Sequence, residues 1–174
     1  MRLPEFALAL HAQEGVAEAC VLLQDRFGVD VNVLLFAARI GSTGTLTSAA
    51  LDKAQRQIAD WHAEVVVPLR GVRRRLKSGP YPAPDPTTSE LREHVKSLEL
   101  RAEMIELDEL GHLIPNHEPS IPNHEPSVAD PVARTTAALH MAIRRESNRE
   151  LSIAEEEAVT RIAATAARLG RENA

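Results

Sequence analysis

The stretch VNVLLFAARI, residues 31–40, is apolar at every position except Asn32 and Arg39. A helix that is apolar nearly all round is buried nearly all round, because none of its sides is suited to water. Asp30 directly precedes the stretch and can cap a helix, and Gly41 follows it as a stop signal. The stretch is too short to span a bilayer. It therefore predicts a central helix around which other helices pack.

Composition supports a helical core. The 174 residues are enough for one domain with a core of its own, and 44% of them are apolar but only 3% aromatic. Such a core must be built from Leu, Val, Ile and Ala, which favours packed helices over a sheet. No segment alternates with period two for long enough to predict a strand. The sequence therefore predicts an all-α protein, a small multi-helix bundle.

Charge and cysteine content exclude several classes of protein. The formal net charge of −5 argues against bulk binding to nucleic acid or to anionic membranes. Cys20 is the only cysteine, so an intrachain disulfide and a cysteine-rich zinc site are excluded. The N-terminal MRLPEFALAL lacks a basic segment followed by a sufficient apolar one, so we expect no signal peptide. We expect a cytoplasmic protein without membrane association.

Start and stop signals divide the remaining chain into further helices. The predicted segments are 4–11, 15–27, 47–77 with a kink at Pro68, 87–111, 131–146 and a last helix that begins at Ser152. Prolines at every second position from 80 to 86 predict a stiff, extended linker over residues 78–86.

Three parts follow from this division. Residues 1–111 form a helical core that contains the linker, and residues 112–130 form a loop. Residues 131–174 form a C-terminal helix pair that we expect to pack on the core.

The helix predicted over residues 87–110, opened by a capping box of Thr87 and Glu90, has two apolar faces. One face carries Leu91, Val95, Leu98, Ala102 and Ile105, and nearly opposite lie Leu100, Met104 and Leu107. A polar strip between them holds Glu99, Glu103 and Glu106, which we interpret as a solvated face. A helix that is apolar on two sides must pack between layers or against a partner chain. We therefore predict a protein partner or self-association through this helix, at Leu100, Met104 and Leu107.

Three stretches together resemble a bacterial family of short helical proteins described as a domain of unknown function. They are FALALHAQEGVAEACVLLQDRFGVDVNVLLFAARIG (6–41), WHAEVVVPLRGVRRRLK (61–77) and LREHVKSLELRAEMIELDEL (91–110). The resemblance covers about residues 4–110, and GVAEACVLLQDRFGVDVNVLLF (15–36) is its most specific part. It implies an all-helical, cytoplasmic, bacterial protein, and it implies no reaction, cofactor or catalytic residue.

The heptapeptide IPNHEPS occurs twice in succession over residues 114–127. Its imidazoles and carboxylates are of the types that bind metals: His117, Glu118, His124 and Glu125. Flanking prolines force an extended chain, in which equivalent positions lie about 20 Å apart, so we interpret the repeat as a linker. The Glu109-x-x-His112 spacing occurs without the second such motif that a di-iron bundle needs. We predict no metal site, no cofactor and no catalytic residue.

Two further groups define alternative functions. RGVRRRLK, residues 70–77, carries five cations at the end of a helix: Arg70, Arg73, Arg74, Arg75 and Lys77. They can complement the helix dipole or contact phosphates. His62 lies within the apolar stripe of the helix over 47–77, where it needs a hydrogen-bond partner. It is either a satisfied core histidine or a proton-transfer or ligand-binding group.

These observations favour an uncharacterised, non-catalytic interaction or accessory protein. The first alternative is a nucleic-acid-associated factor that uses the basic segment 70–77. The second is an enzyme or ligand-binding bundle in which His62, Trp61 and Asn32 line a cavity.

Overall fold

The computed structural model describes residues 1–114 and 130–172, in which the regular structure is entirely helical. The all-α prediction is confirmed. The elements in chain order are α1 (Leu3–His11), α2 (Val16–Phe27), α3 (Val31–Thr43), α4 (Ser48–Trp61), a π turn (His62–Val66), α5 (Val67–Ser78), α6 (Pro86–Gly111), α7 (Pro131–Glu146) and α8 (Ile153–Glu172).

Helix α3 is the centre of the bundle. Every residue from Asn32 to Ala38 is buried, and α1, α6, α7 and α8 all pack against the helix. The prediction of a central buried helix is confirmed, but the helix continues to Thr43 instead of ending at Gly41. Gly41 lies inside it because the α7 backbone crosses there. A Cβ atom at Gly41 would stand 2.6 Å from the Cα atom of Thr135.

Several helix ends follow the local signals in the sequence. The side chains of Asp30, Thr47 and Asp130 accept backbone N–H bonds as caps of α3, α4 and α7. Gly28 ends α2 with a φ of 74°, in the left-handed region that favours glycine.

The predicted cap of α6 was wrong. Asp85 caps this helix, with its Oδ1 accepting from the Thr88 N–H at 2.9 Å and its own N–H donating to Thr88 Oγ1 at 2.9 Å. Pro86 fits the first helical position, so the helix begins one residue before the predicted start at Thr87.

The predicted kink near Pro68 takes the form of a π turn. The N–H of Val67 donates to the carbonyl of His62, five residues earlier, so the turn is wider than an α-turn. Proline lacks an N–H, and its ring would clash with the carbonyl four residues before it in a regular helix. The wider turn just before Pro68 relieves that conflict.

The proline-rich segment reverses the chain, so the prediction of an extended linker was wrong. The N–H of Ala83 donates to the carbonyl of Pro80 at 2.9 Å, which closes a turn between α5 and α6. Arg70 pairs with Glu103 and Arg73 with Glu99, so the two helices run antiparallel. Prolines suit turns as well as extended chain, and contact between the helices selects the turn. We call α5, the turn and α6 the hairpin.

All of the duplicated heptapeptide except Ile114 lies outside the described residues, so its interpretation as a linker stays a prediction.

Within residues 1–114 and 130–172, no single helix is long and apolar enough to cross a membrane. Helices α1 and α2 pass that test only together, as a pair bent by 101°.

A pair of glycine substitutions tests the close approach of α3 and α7. Gly41→Ala places a methyl group against the α7 backbone and should destabilise the protein by about 1–3 kcal/mol through overpacking. Gly71→Ala in α5 meets no atom within 4 Å and should stabilise it by up to about 1 kcal/mol through helix propensity. Urea denaturation of both variants measures the difference. Equal stabilities would contradict this packing.

Candidate functional site

Three side chains from separate parts of the chain meet beside the hairpin. The Nδ1 atom of His62, in the π turn, lies 3.0 Å from Asp30 Oδ2 and 3.0 Å from Glu106 Oε1. Asp30 is the cap of α3, and Glu106 lies in α6. The Glu106 side chain is fully buried, while those of Asp30 and His62 are 14% and 24% exposed. We call these three residues the cluster.

Asn32 holds one oxygen of each carboxylate. Its backbone N–H donates to Asp30 Oδ1 at 2.9 Å, and its side-chain Nδ2 donates to Glu106 Oε2 at 2.6 Å. Nδ2 also donates to the backbone carbonyl of Glu103 at 3.2 Å. The first turn of α3 is thus fixed to α6, and the second oxygen of each carboxylate faces His62.

The Asp30 Oδ2 atom is buried and has no hydrogen-bond partner within residues 1–114 and 130–172. It lies near His62 Nδ1, but the hydrogen-bond geometry of that nitrogen favours Glu106 Oε1. A single N–H can serve one acceptor well, so the second carboxylate oxygen is left without a donor.

The electrostatics of the cluster favour a positive charge at its centre. The carboxylates of Asp30 and Glu106 raise the pKa of His62 to about 10, and they outweigh the effect of burial, which alone would lower it. His62 is therefore an imidazolium at neutral pH, held by two acidic side chains.

The cluster borders an open depression on the protein surface with a volume of about 430 Å³. Asp30 and His62 lie in its wall beside Gln24, Arg70 and Arg74. His62 is therefore accessible from solvent, which the interpretation as a satisfied core histidine did not anticipate. Trp61, predicted to share a cavity with His62, instead donates its Nε1–H to the carbonyl of Ala102 at 3.1 Å and is 38% exposed.

Part of the basic segment binds the polar strip of α6. Arg70 donates to Glu99 at 3.2 Å and to Glu103 at 2.7 Å, and Arg73 donates to Glu99 at 3.1 Å. Burial alone would raise the pKa of Glu99, but the two guanidinium groups keep it below its usual value. For Glu103, burial dominates and raises the pKa.

The interpretation of this strip as a solvated face was wrong for Glu99 and Glu106, which are 4% and 0% exposed. Helix α5 packs along the polar strip of α6, and Arg70 and Arg73 compensate the negative charge of Glu99 and Glu103. The remaining cations of the basic segment, Arg74, Arg75 and Lys77, are exposed. Binding of nucleic acid by these residues stays a prediction.

The three residues predicted to bind a partner differ in their exposure. Leu107 is 4% exposed and belongs to the core, and Met104 is partly buried against it. Leu100 is 53% exposed.

The other apolar face of α6 is the more open one. Leu91, Leu98 and Ile105 are about half exposed, at 50%, 51% and 48%, whereas Val95 and Ala102 between them are buried.

Helix α5 and the π turn before it contribute a second apolar stripe on the same side as that face of α6. Val72 is 49% exposed, and Val65, Leu69 and Leu76 are partly exposed at helical spacing. At about 100° per residue, these side chains point a quarter-turn away from Arg70 and Arg73, which face α6. Because the two helices are antiparallel, this stripe faces the same side of the hairpin as Leu91, Leu98 and Ile105. We call the combined surface the apolar face: Trp61, Val65, Leu69, Val72, Leu76, Leu91, Leu98 and Ile105.

A family model described as "Protein of unknown function (DUF2390)" matches residues 2–110. The chain belongs to this family. The resemblance expected from the sequence is therefore confirmed, and the matched region contains the cluster and the hairpin up to Leu110. Helices α7 and α8 lie beyond it. Searches of curated proteins and of solved structures found no match.

Replacement of His62 should change how stability depends on pH. Folding raises the pKa of His62 from 6.5 to about 10, so the protonated side chain stabilises the folded state. This stabilisation is complete below pH 6.5. This contribution declines as pH rises and is lost above about 10. In metal-free buffer at pH 6, the free energy of unfolding of wild type should exceed that of His62→Gln by about 2 kcal/mol or more. This difference in stability should shrink as the pH rises towards 10.

Urea denaturation at a series of pH values measures this gap. His94→Gln removes an exposed histidine from α6 and should stay within about 0.5 kcal/mol of wild type. A gap of constant size between wild type and His62→Gln over the whole range would contradict the proposed electrostatics.

Proposed function

We propose that this chain is a non-catalytic interaction protein that self-associates through the apolar face of the hairpin. The observation that supports the proposal is the exposure of Trp61, Val72, Leu91, Leu98 and Ile105, each between 38% and 51%. A contiguous exposed apolar surface marks a site of association, because the removal of apolar surface from water is favourable.

A second copy of the chain is the occupant that best fits this surface. Leu91, Val95, Leu98, Ala102 and Ile105 follow the alternating spacing of four and three residues that forms the seam between packed helices. A helical hairpin with such stripes on one side is half of a four-helix bundle. Two identical hairpins can complete the bundle about a two-fold axis, because each face then meets an identical one.

Charges at the edge of the apolar face are compatible with this arrangement. Glu64 in the π turn and Arg75 in α5 lie near opposite ends of the second apolar stripe and are both exposed. In an antiparallel dimer, each end of one copy meets the opposite end of the other, so unlike charges approach.

A bacterial cytoplasm is the location that we propose for this association. The single cysteine is buried, which is compatible with a reducing compartment.

Charged substitutions on the apolar face should abolish the dimer. The double variant Leu98→Glu/Ile105→Glu places two carboxylates in the proposed seam, where their desolvation opposes association. Light scattering coupled to size exclusion should give twice the chain mass of 19.0 kDa for wild type and 19.0 kDa for the variant.

Two controls locate the surface. Leu8→Glu changes a 55% exposed side chain on α1 and should leave the dimer intact. Leu100→Glu tests the opposite flank of α6. If this variant abolished the dimer and the double variant did not, the interface would lie on that flank. A wild-type chain that remains monomeric at high micromolar concentration would overturn the proposal.

A further inference from the structure

We propose that Asp30, His62 and Glu106 bind a divalent transition-metal ion, with zinc as the ion that best fits the donors. Each of the three residues offers one ligand atom, and these atoms all lie within 4.8 Å of one another. This site does not depend on the dimer proposed above, since its three ligands belong to one chain.

The spacing of the donor atoms suits a metal centre. Zinc binds imidazole nitrogen and carboxylate oxygen at about 2.0–2.2 Å, which separates neighbouring ligands by about 3.0–3.5 Å. Nδ1 already lies 3.0 Å from each of the two oxygens. The three donor atoms lie within 4.8 Å of one another, so side-chain shifts of about 1 Å place them around one ion.

Hydrogen bonds to Asn32 orient both carboxylates towards the centre. Its N–H holds Asp30 Oδ1 and its Nδ2 holds Glu106 Oε2, so each carboxylate presents only its second oxygen to His62. Bonds of this kind to the outer oxygens of metal ligands fix their geometry before the ion arrives.

The unpartnered oxygen of Asp30 points to a cation that contacts both carboxylates at once. Asp30 Oδ2 is buried without a hydrogen-bond donor among the described residues, and Glu106 is fully buried. The N–H at Nδ1 donates well to only one of the two oxygens. A divalent ion contacts both oxygens at once, and the Nδ1 proton passes to solvent on coordination.

The donor set and the access to solvent define the class of ion. One imidazole and two carboxylates suit zinc or manganese, whereas magnesium and calcium prefer oxygen ligands alone. Asp30 and His62 line the depression of about 430 Å³, so the remaining coordination positions are open to water or to an anionic ligand. Three protein ligands with an open position are the arrangement found in catalytic zinc sites.

Zinc titration of the chelator-treated full-length chain, followed by calorimetry, tests the site. We expect one ion per chain with micromolar or tighter affinity, and magnesium should not compete at millimolar concentration. Asp30→Asn and Glu106→Gln keep the size and the Asn32 contacts of each side chain, and each should weaken zinc binding at least about tenfold. Circular dichroism confirms that each variant is folded.

Two controls separate this site from other histidines. Glu156→Gln changes the exposed pair with His140, and His117→Gln/His124→Gln removes both imidazoles of the duplicated heptapeptide. Both variants should bind zinc at the cluster as wild type does. Absence of zinc binding by wild type, binding unaffected by Asp30→Asn and Glu106→Gln, or binding lost only with His117 and His124 would each overturn the proposal.

Discussion

The buried carboxylate of Glu106 is the constraint on which the arrangement of the molecule depends. A fully buried carboxylate is costly unless charged and hydrogen-bonded groups surround it. Asn32 and His62 supply those groups from α3 and from the π turn. The hairpin therefore has one favourable position against the bundle, with Glu106 beside the first turn of α3. The same contact brings Asp30 to His62 and creates the cluster.

The hairpin distributes its polar and apolar residues in an unusual way. Helix α5 has no buried residue, and its contact with α6 includes the ion pairs of Arg70 with Glu99 and Glu103 and of Arg73 with Glu99. Buried ion pairs add little net stability, but they specify register, because a displaced pair leaves a charge uncompensated. Since the charges occupy the seam between the helices, the apolar stripes face outwards. The surface proposed for self-association is thus a consequence of how the hairpin is held together.

The C-terminal helices explain why α3 can be so apolar. Helices α7 and α8 cover the sides of α3 that α1 and α6 leave open. Glycine allows the closest approaches: a Cβ atom at Gly41 would meet Thr135, and one at Gly170 would lie 2.9 Å from Ser42. The family match ends at residue 110, yet the burial of its central helix is completed by residues beyond that point.

Local signals in the sequence determined much of the fold. The apolar run 31–40 with its cap Asp30, and the start and stop signals of the other segments, predicted helix identities and several boundaries, because each signal acts within one or two turns of chain. The same local view identified His62 as a residue in need of a partner. Asn32, a polar residue within an apolar run, was the available sign that α3 approaches another polar group.

Tertiary structure alone decided which distant residues meet. Asp30, His62 and Glu106 are far apart in the sequence. Helical periodicity identifies a polar strip on a helix but does not predict whether another helix will pack against it. Glu99 and Glu106 belong to a strip that is polar by pattern, and only the packing of α5 and α3 against it makes them buried. The direction of the proline-rich segment also depended on this packing, since prolines accommodate both an extended chain and a turn. The sequence by itself determined the helices and the central position of α3, whereas the cluster and the apolar face follow from how the hairpin closes, because long-range charge pairing has no local signature.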